Sequence, residues 1–254
     1  MSAFRVDELE VRVFASGPEL AAAAAADARA AILAAIDQRD RATVMFASGN
    51  SQLAFLDALT SRSDIPWTRV TGFHMDEYVA MDSSHPASFA RYMRERIADV
   101  VDIGAFHYID GRNDPAGEIA RYTKLLDDNP LDLCCVGIGE NGHLAFNDPP
   151  FADFADPVDA KEVTLDDASR RQQVGEGHFA DLDAVPRTAI TVTIPALLGA
   201  DRVLAIVPEA RKATAVHDAL AGAIDTRCPA SILRRTPHAT LYLDEGSAAR
   251  VSNA

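Results

Sequence analysis

Apolar positions along this chain fall into short runs rich in β-branched residues, separated by longer stretches in which they recur at helical spacing. The runs 42–47 (ATVMFA), 69–75 (RVTGFHM), 131–136 (LDLCCV), 188–194 (TAITVTI), 202–207 (RVLAIV) and 239–243 (ATLYL) predict strands. Helices are predicted from Gly17 to about Asp37, from Ser51, near 86–98 and from about Glu209 to Ala221. The first of these opens on Ser16 with Glu19 three residues later, a reciprocal capping pair. Strands alternating with helices predict an α/β fold, a mostly parallel sheet flanked by helices on both faces in a Rossmann-like three-layer arrangement. Ligands of such sheets collect outside the carboxyl ends of the strands, so a motif carries weight here when it directly follows a strand.

No internal repeat or low-complexity linker interrupts the pattern, and one α/β domain over 1–254 accommodates the whole length. The stretch 149–186 departs from it. It is charge-dense and weakly periodic, with a strand candidate only at Glu162 to Leu165, and an excursion of that length is read as a lid.

Composition narrows the partners. No stretch approaches the roughly 20 uninterrupted apolar residues of a bilayer crossing, and Asp27 and Arg29 break the Ala-rich run 20–35, so no membrane partner and a cytoplasmic location are expected. Cys134, Cys135 and Cys228 offer neither a disulfide framework nor a zinc spacing and read as packed thiols, and no metal is expected. A net charge of −14 argues against nucleic acid. An anionic substrate would therefore need a locally positive site.

Four strand ends carry candidate chemistry. After 42–47 comes Ser48-Gly49-Asn50-Ser51-Gln52 and then a helix, a small-residue turn suited to a phosphate at helix-start amides, or simply a capped turn. No Lys follows the Gly, so it is not a Walker loop. After 69–75 stand two adjacent acids, Asp76 and Glu77, one of which can face inward as a base. After 131–136 runs Gly137 to Pro150, with a formal G-x-G-x-x-G at Gly137, Gly139 and Gly142. A dinucleotide site needs a long helix after the last Gly, and Pro149 and Pro150 forbid it. The glycines suit instead a sharp loop presenting His143 between Asn141 and Asp148. Positive charge is offered by Arg170 and Arg171 in the lid stretch and by Lys212 beyond strand 202–207.

As a set these segments resemble the glucosamine-6-phosphate deaminase family, whose fold is shared with 6-phosphogluconolactonases. The resemblance spans about residues 8–246. It rests on F-x-M-D-E-Y at Phe73 to Tyr78, H-P-x-S-F at His85 to Phe89, G-x-G-x-N-G-H-x-A-F-N-D-P at Gly137 to Pro149, and C-P-A-S at Cys228 to Ser231. It implies conversion of glucosamine 6-phosphate, or a close relative, to fructose 6-phosphate and ammonia without a cofactor. Asp76 would move a proton between C2 and C1, and His143, with Asn141 and Asp148, would assist ring opening. The loop residues Ser48, Gly49, Asn50 and Ser51, with Arg170 and Lys212, would hold the substrate phosphate. The chemistry agrees, because aldose–ketose interconversion needs a carboxylate over two carbons, an acid/base at the ring oxygen and a firmly anchored tail.

The chain departs from the family in having Asn141 and Asp148 where Asp and Glu are usual, and S-G-N-S-Q where T-G-S-T-P is more common. An Asn at 141 can orient the imidazole by accepting its N–H. An Asp at 148 is one methylene short and would need backbone movement or a water to reach the ring. Two rival readings stay open: lactone hydrolysis, which needs His143 but not Asp76, and a non-catalytic sugar-phosphate sensor. A homo-oligomer is also open.

Overall fold

The computed structural model describes residues 1–149 and 151–251. In chain order the elements are β1 (Ser2–Val6), β2 (Leu9–Phe14), α1 (Gly17–Arg39), β3 (Ala42–Phe46), α2 (Leu53–Thr60), β4 (Val70–His74), β5 (Asp76–Tyr78), α3 (Phe89–Met93), β6 (Ala105–His107), α4 (Pro115–Asp128), β7 (Leu133–Val136), β8 (Ala160–Thr164), α5 (Asp167–Gly175), β9 (Thr188–Val192), α6 (Ile194–Leu198), β10 (Arg202–Val207), α7 (Ala213–Ala221) and β11 (Ala239–Asp244). The Ser16 hydroxyl accepts from the Glu19 amide at the start of α1, as its spacing predicts.

Eight strands form one sheet in the order β1-β2-β11-β10-β7-β3-β4-β6. Only β1 and β2 pair antiparallel; every other neighbouring pair is parallel. From β3 the chain builds outward through β4 and β6, and from β7 it builds the other way through β10 and β11. The reversal between β3 and β7 opens a crevice at their carboxyl ends. The Ser48 loop leaves β3 there and the His143 loop leaves β7 beside it.

Side-chain alternation explains why both faces are covered. Val44 and Phe46 of β3 point into a cluster with Ala24, Ala28 and Ile32 of α1 and Phe55 of α2. Met45 points the opposite way, toward Tyr122 of α4, Leu197 of α6 and Val216 of α7. The adjacent thiols follow the same rule: Cys134 faces one layer and Cys135 the other, both fully buried.

The strand predicted at 188–194 forms, but not in the parallel sheet. It is β9, the centre of a second, three-stranded antiparallel sheet in the order β5-β9-β8. That small sheet has its own core, in which the rings of Tyr78, Phe89 and Phe146 lie 5.0 to 5.7 Å apart by centroid. The stretch 149–186 holds β8 and α5, and Val163, Leu165 and Val185 tie it to this core. No helix follows Gly142 up to Pro149; Pro150 lies outside the described residues.

Candidate active site

A cleft lies over the crevice between β3 and β7. Ser48, Gly49, Ser51, Asp76, His143 and Lys212, far apart in sequence, all line it.

Asp76 opens β5, one residue beyond the end of β4, and pairs with Thr191 of β9. Strand geometry sends Asp76 and Glu77 to opposite faces. Glu77 turns to α3 and accepts from the Ser88 hydroxyl (2.7 Å) and the Ala90 amide (2.9 Å), as well as from the Tyr78 amide (3.0 Å). Asp76 faces the cleft. Burial, then the neighbouring charges of Glu77 and Asp148, push its carboxyl well above the ordinary carboxylate value. A carboxyl tuned upward suits transfer of a carbon-bound proton near neutral pH. Buried His74, just before it, fixes the strand end: its Nε2 accepts from the Ile109 amide at 2.8 Å, and burial holds the ring neutral with its pKa lowered to about 3.

The imidazole of His143 lies across Gly139, where an added Cβ would stand 2.2 Å from the ring, so only glycine permits the arrangement. At Gly142 the backbone takes φ +85, and the Ala230 amide donates to its carbonyl at 2.8 Å. The C-P-A-S segment therefore braces the His143 loop.

His143 Nδ1 is 3.0 Å from Asp148 Oδ1 and 2.9 Å from the Ser169 hydroxyl, which itself donates to Asp148 at 2.6 Å. With the Ser169 proton given to Asp148, the proton on Nδ1 points to these oxygens, and Nε2 has no hydrogen-bond partner among the described residues. Asp148 also accepts from Asn141 Nδ2 (3.0 Å) and the Asp166 amide (3.2 Å). Burial works to raise its pKa, but the contacts from His143, Ser169 and Asn141 outweigh it and hold the carboxyl below its ordinary value.

Of the two routes open to Asp148 the direct one holds, and the expectation for Asn141 needs correcting. Asp148 reaches the ring directly, its Oδ1 3.0 Å from Nδ1. Asn141 does not accept the imidazole N–H; its Oδ1 accepts the backbone amide of His143 (3.1 Å) while its Nδ2 supports Asp148.

At the other end of the cleft, Lys212 lies in the single turn before α7 and is 3% exposed. Glu209, at φ 83, sets that turn, and its amide donates to the Asp244 carboxylate at 3.0 Å. Burial lowers the Lys212 pKa, and the charge of Glu176 partly offsets this. Lys212 Nζ has no ion-pair partner within 4 Å among the described residues, which leaves it available to an anion. Two residues expected to grip phosphate lie elsewhere. Asn50 faces a neighbouring cavity beside α1, and its amide donates to the Glu176 carbonyl at 3.3 Å. Arg170 turns from the cleft to bond Asp167 (3.1 Å) and the carbonyls of Leu182 (2.5 Å) and Val185 (3.2 Å), fixing the turn that leads to β9.

Sequence reasoning missed one wall of the cleft. Gln172, Gln173 and Glu176 line it and Ser169 supports His143, all from α5 or its last turn. Their spacing, at i, i+3, i+4 and i+7, is a polar helical stripe that was there to be read.

The family described as glucosamine-6-phosphate isomerases/6-phosphogluconolactonase matches residues 15–242. The chain belongs to this family. Glucosamine-6-phosphate deaminase of Exiguobacterium sibiricum is 33% identical over 212 residues, covering 83% of this chain and 82% of the relative. The Mycolicibacterium smegmatis deaminase is 34% identical over 230 residues, covering 87% and 86%. Among solved structures, a monomeric glucosamine-6-phosphate deaminase superposes with a TM-score of 0.84 at 27% identity, covering 94% of this chain and 99% of that one. The 6-phosphogluconolactonase of Trypanosoma brucei, at 18% identity and a TM-score of 0.74 over 99% and 100%, shares the fold. Among the described residues no group of three or more His, Cys, Asp or Glu is placed to hold a metal ion, and no helix is long and apolar enough to cross a membrane.

Proposed function

We propose that this chain is an aminosugar-phosphate deaminase/isomerase that converts glucosamine 6-phosphate, or a close relative, to fructose 6-phosphate and ammonia without a cofactor. The observation that carries the proposal is convergence: the carboxyl of Asp76, the Asp148-backed imidazole of His143 and the ammonium of Lys212, without an ion-pair partner among the described residues, line one cleft. The deaminase relatives, about one-third identical over most of their length, support the same reading.

In the mechanism that follows, Lys212 and the Ser48-Gly49-Ser51 turn hold the phosphate and orient the hexose. His143, its Nδ1 proton fixed by Asp148 and Ser169, presents the lone pair of Nε2 to the sugar. It takes the anomeric hydroxyl proton and returns it to the ring oxygen as the pyranose opens. Asp76 then removes the C2 proton. The electrons of that C–H bond form the C1–C2 double bond of an enolamine while the C1=O pair moves to O1, which takes a proton from the C2 ammonium; Asp76 then returns its proton to C1 as the nitrogen lone pair forms the C2–N double bond. The product is a 2-imine, to which water adds and from which ammonia leaves. The 149–186 stretch serves as a cover over the reacting carbons, with α5 as its inner wall.

An ammonia-coupled assay without added cofactor, run on glucosamine, galactosamine and mannosamine 6-phosphates, tests the reading. Turnover of at least one is expected, with glucosamine 6-phosphate foremost. Hydrolysis of 6-phosphogluconolactone with no ammonia from any of the three would overturn it in favour of the lactonase chemistry; tight binding without turnover would favour a sensor.

A further inference from the structure

The phosphate end of the cleft contains a charge that the chemistry above does not use. Glu176, just past α5, lines the cleft with its side chain only 5% exposed. Its Oε1 accepts from Arg211 and from Gln172, each at 2.9 Å, and its Oε2 lies 3.4 Å from His178 Nε2. A Cβ placed on Gly49 would stand 3.8 Å from Oε2, so the carboxylate reaches the Ser48–Ser51 turn itself. Burial works against its charge. Even so, His178, Arg211, Gln172 and Lys212 together push its pKa down to about 2, and it stays ionised at any working pH. Arg211, the cation beside Lys212, is held away from the cleft by Glu176, by Glu209 (2.5 Å) and by Glu140 (3.6 Å).

A phosphate arriving at Lys212 and the Ser48 turn therefore meets a fixed negative charge already facing both. We propose that Glu176 is a resident counter-anion of the phosphate subsite and sets its selectivity. In the free protein it balances Lys212 and Arg211, and a sugar phosphate binds by displacing it, at the cost of its contacts to Arg211 and Gln172. Small anions gain too little elsewhere in the cleft to drive the exchange. A hexose phosphate gains enough through its sugar, so discrimination comes from repulsion rather than from an added attraction. This proposal rests on the reading of the cleft as a sugar-phosphate site.

Titration calorimetry with inorganic phosphate as the probe tests it on wild type, Glu176→Gln and Glu176→Ala, each checked for folding by circular dichroism. Removing a like charge at this range is expected to tighten phosphate by about tenfold or more in both variants. Adding Lys212→Ala to Glu176→Gln should abolish the gain. Phosphate binding no tighter in either variant than in wild type would overturn the proposal, and weaker binding would mean that Glu176 serves as a ligand contact. Ammonia release is read separately. If hexosamine phosphates give none while Glu176→Gln still tightens phosphate, the deaminase reading fails and the counter-anion role stands.

Discussion

The two ends of the cleft solve the burial of charge in opposite ways. At the His143 end, one carboxylate collects the imidazole, the Ser169 hydroxyl, the Asn141 amide and a backbone N–H, so every group is fixed before any substrate arrives. At the Lys212 end, an ammonium without an ion-pair partner among the described residues faces a carboxylate drawn toward Arg211. The first is fully paired within itself; the second, on the reading proposed above, is a balance that an incoming anion upsets. Catalytic geometry gains from rigidity, whereas a binding subsite gains from groups whose best partner is the ligand.

Asp76, close enough to Asp148 to feel its charge, gives the largest expected effect. Asp76→Asn removes the group proposed to carry the proton between C2 and C1, and kcat on glucosamine 6-phosphate should fall by about 10^3-fold or more with little change in binding. Stability should move the other way. The folded pKa of Asp76 is raised, so its contribution is favourable below the unfolded value of 3.8 and is lost as pH rises through the folded value. The Asn variant should therefore melt higher than wild type at neutral pH, with the difference closing in acid. A variant that keeps wild-type kcat would remove Asp76 from the chemistry.

Asp148→Asn should cost less, on the order of 10^2-fold in kcat, because the ring keeps a neighbour but loses the charge that fixes its tautomer. Its pH signature is the reverse of that of Asp76. A carboxyl held below 3.8 contributes stability that is present above that pH and fades as pH falls through the folded value. Thermal melts taken downward from pH 5 should show a smaller acid loss for Asp148→Asn than for wild type. Equal acid losses would mean that the corner is not assembled in solution.

Much of this contrast was legible in sequence, and the reasons are local. His143 announces itself because its loop follows a buried strand and is built from glycines, and the β3 turn and Lys212 follow strands in the same way. What a strand pattern does not give is its partner: 188–194 has the right residues for a strand, yet it pairs with β5 and β8 in the small sheet. Nor did the adjacent acids reveal which one faces inward until the pleat assigned them. The edge hairpin of β1 and β2 escaped because β1 is exposed to half-buried and offers no buried apolar run, and β6 because it is only three half-buried residues long. The α5 stripe escaped because its charge-rich sequence carries a polar face turned to the cleft, partly buried there, rather than an apolar face turned to a core.

Lys212→Ala tests the binding end alone. Loss of the only cation lining the cleft among the described residues should raise KM for glucosamine 6-phosphate by roughly 10- to 100-fold and change kcat much less, the pattern of lost anchoring. An equal fall in kcat would tie Lys212 to the reacting carbons and erase the division between the two ends.

Arg170 supplies the smallest kinetic effect and the sharpest control, since charge alone made it as good a phosphate ligand as Lys212. Its guanidinium is buried at 4% exposure and spent on Asp167 and the carbonyls of Leu182 and Val185. Arg170→Ala strands one buried and one half-buried carbonyl and should lower stability by about 1–3 kcal/mol. KM should stay within about twofold of wild type at a temperature where the variant is folded, because no atom of Arg170 lines the cleft. Urea denaturation and steady-state kinetics on the same preparation separate the two outcomes. A rise in KM matching that of Lys212→Ala, without loss of stability, would show that the arginine swings into the cleft when substrate binds, and the phosphate would then be held by two cations instead of one.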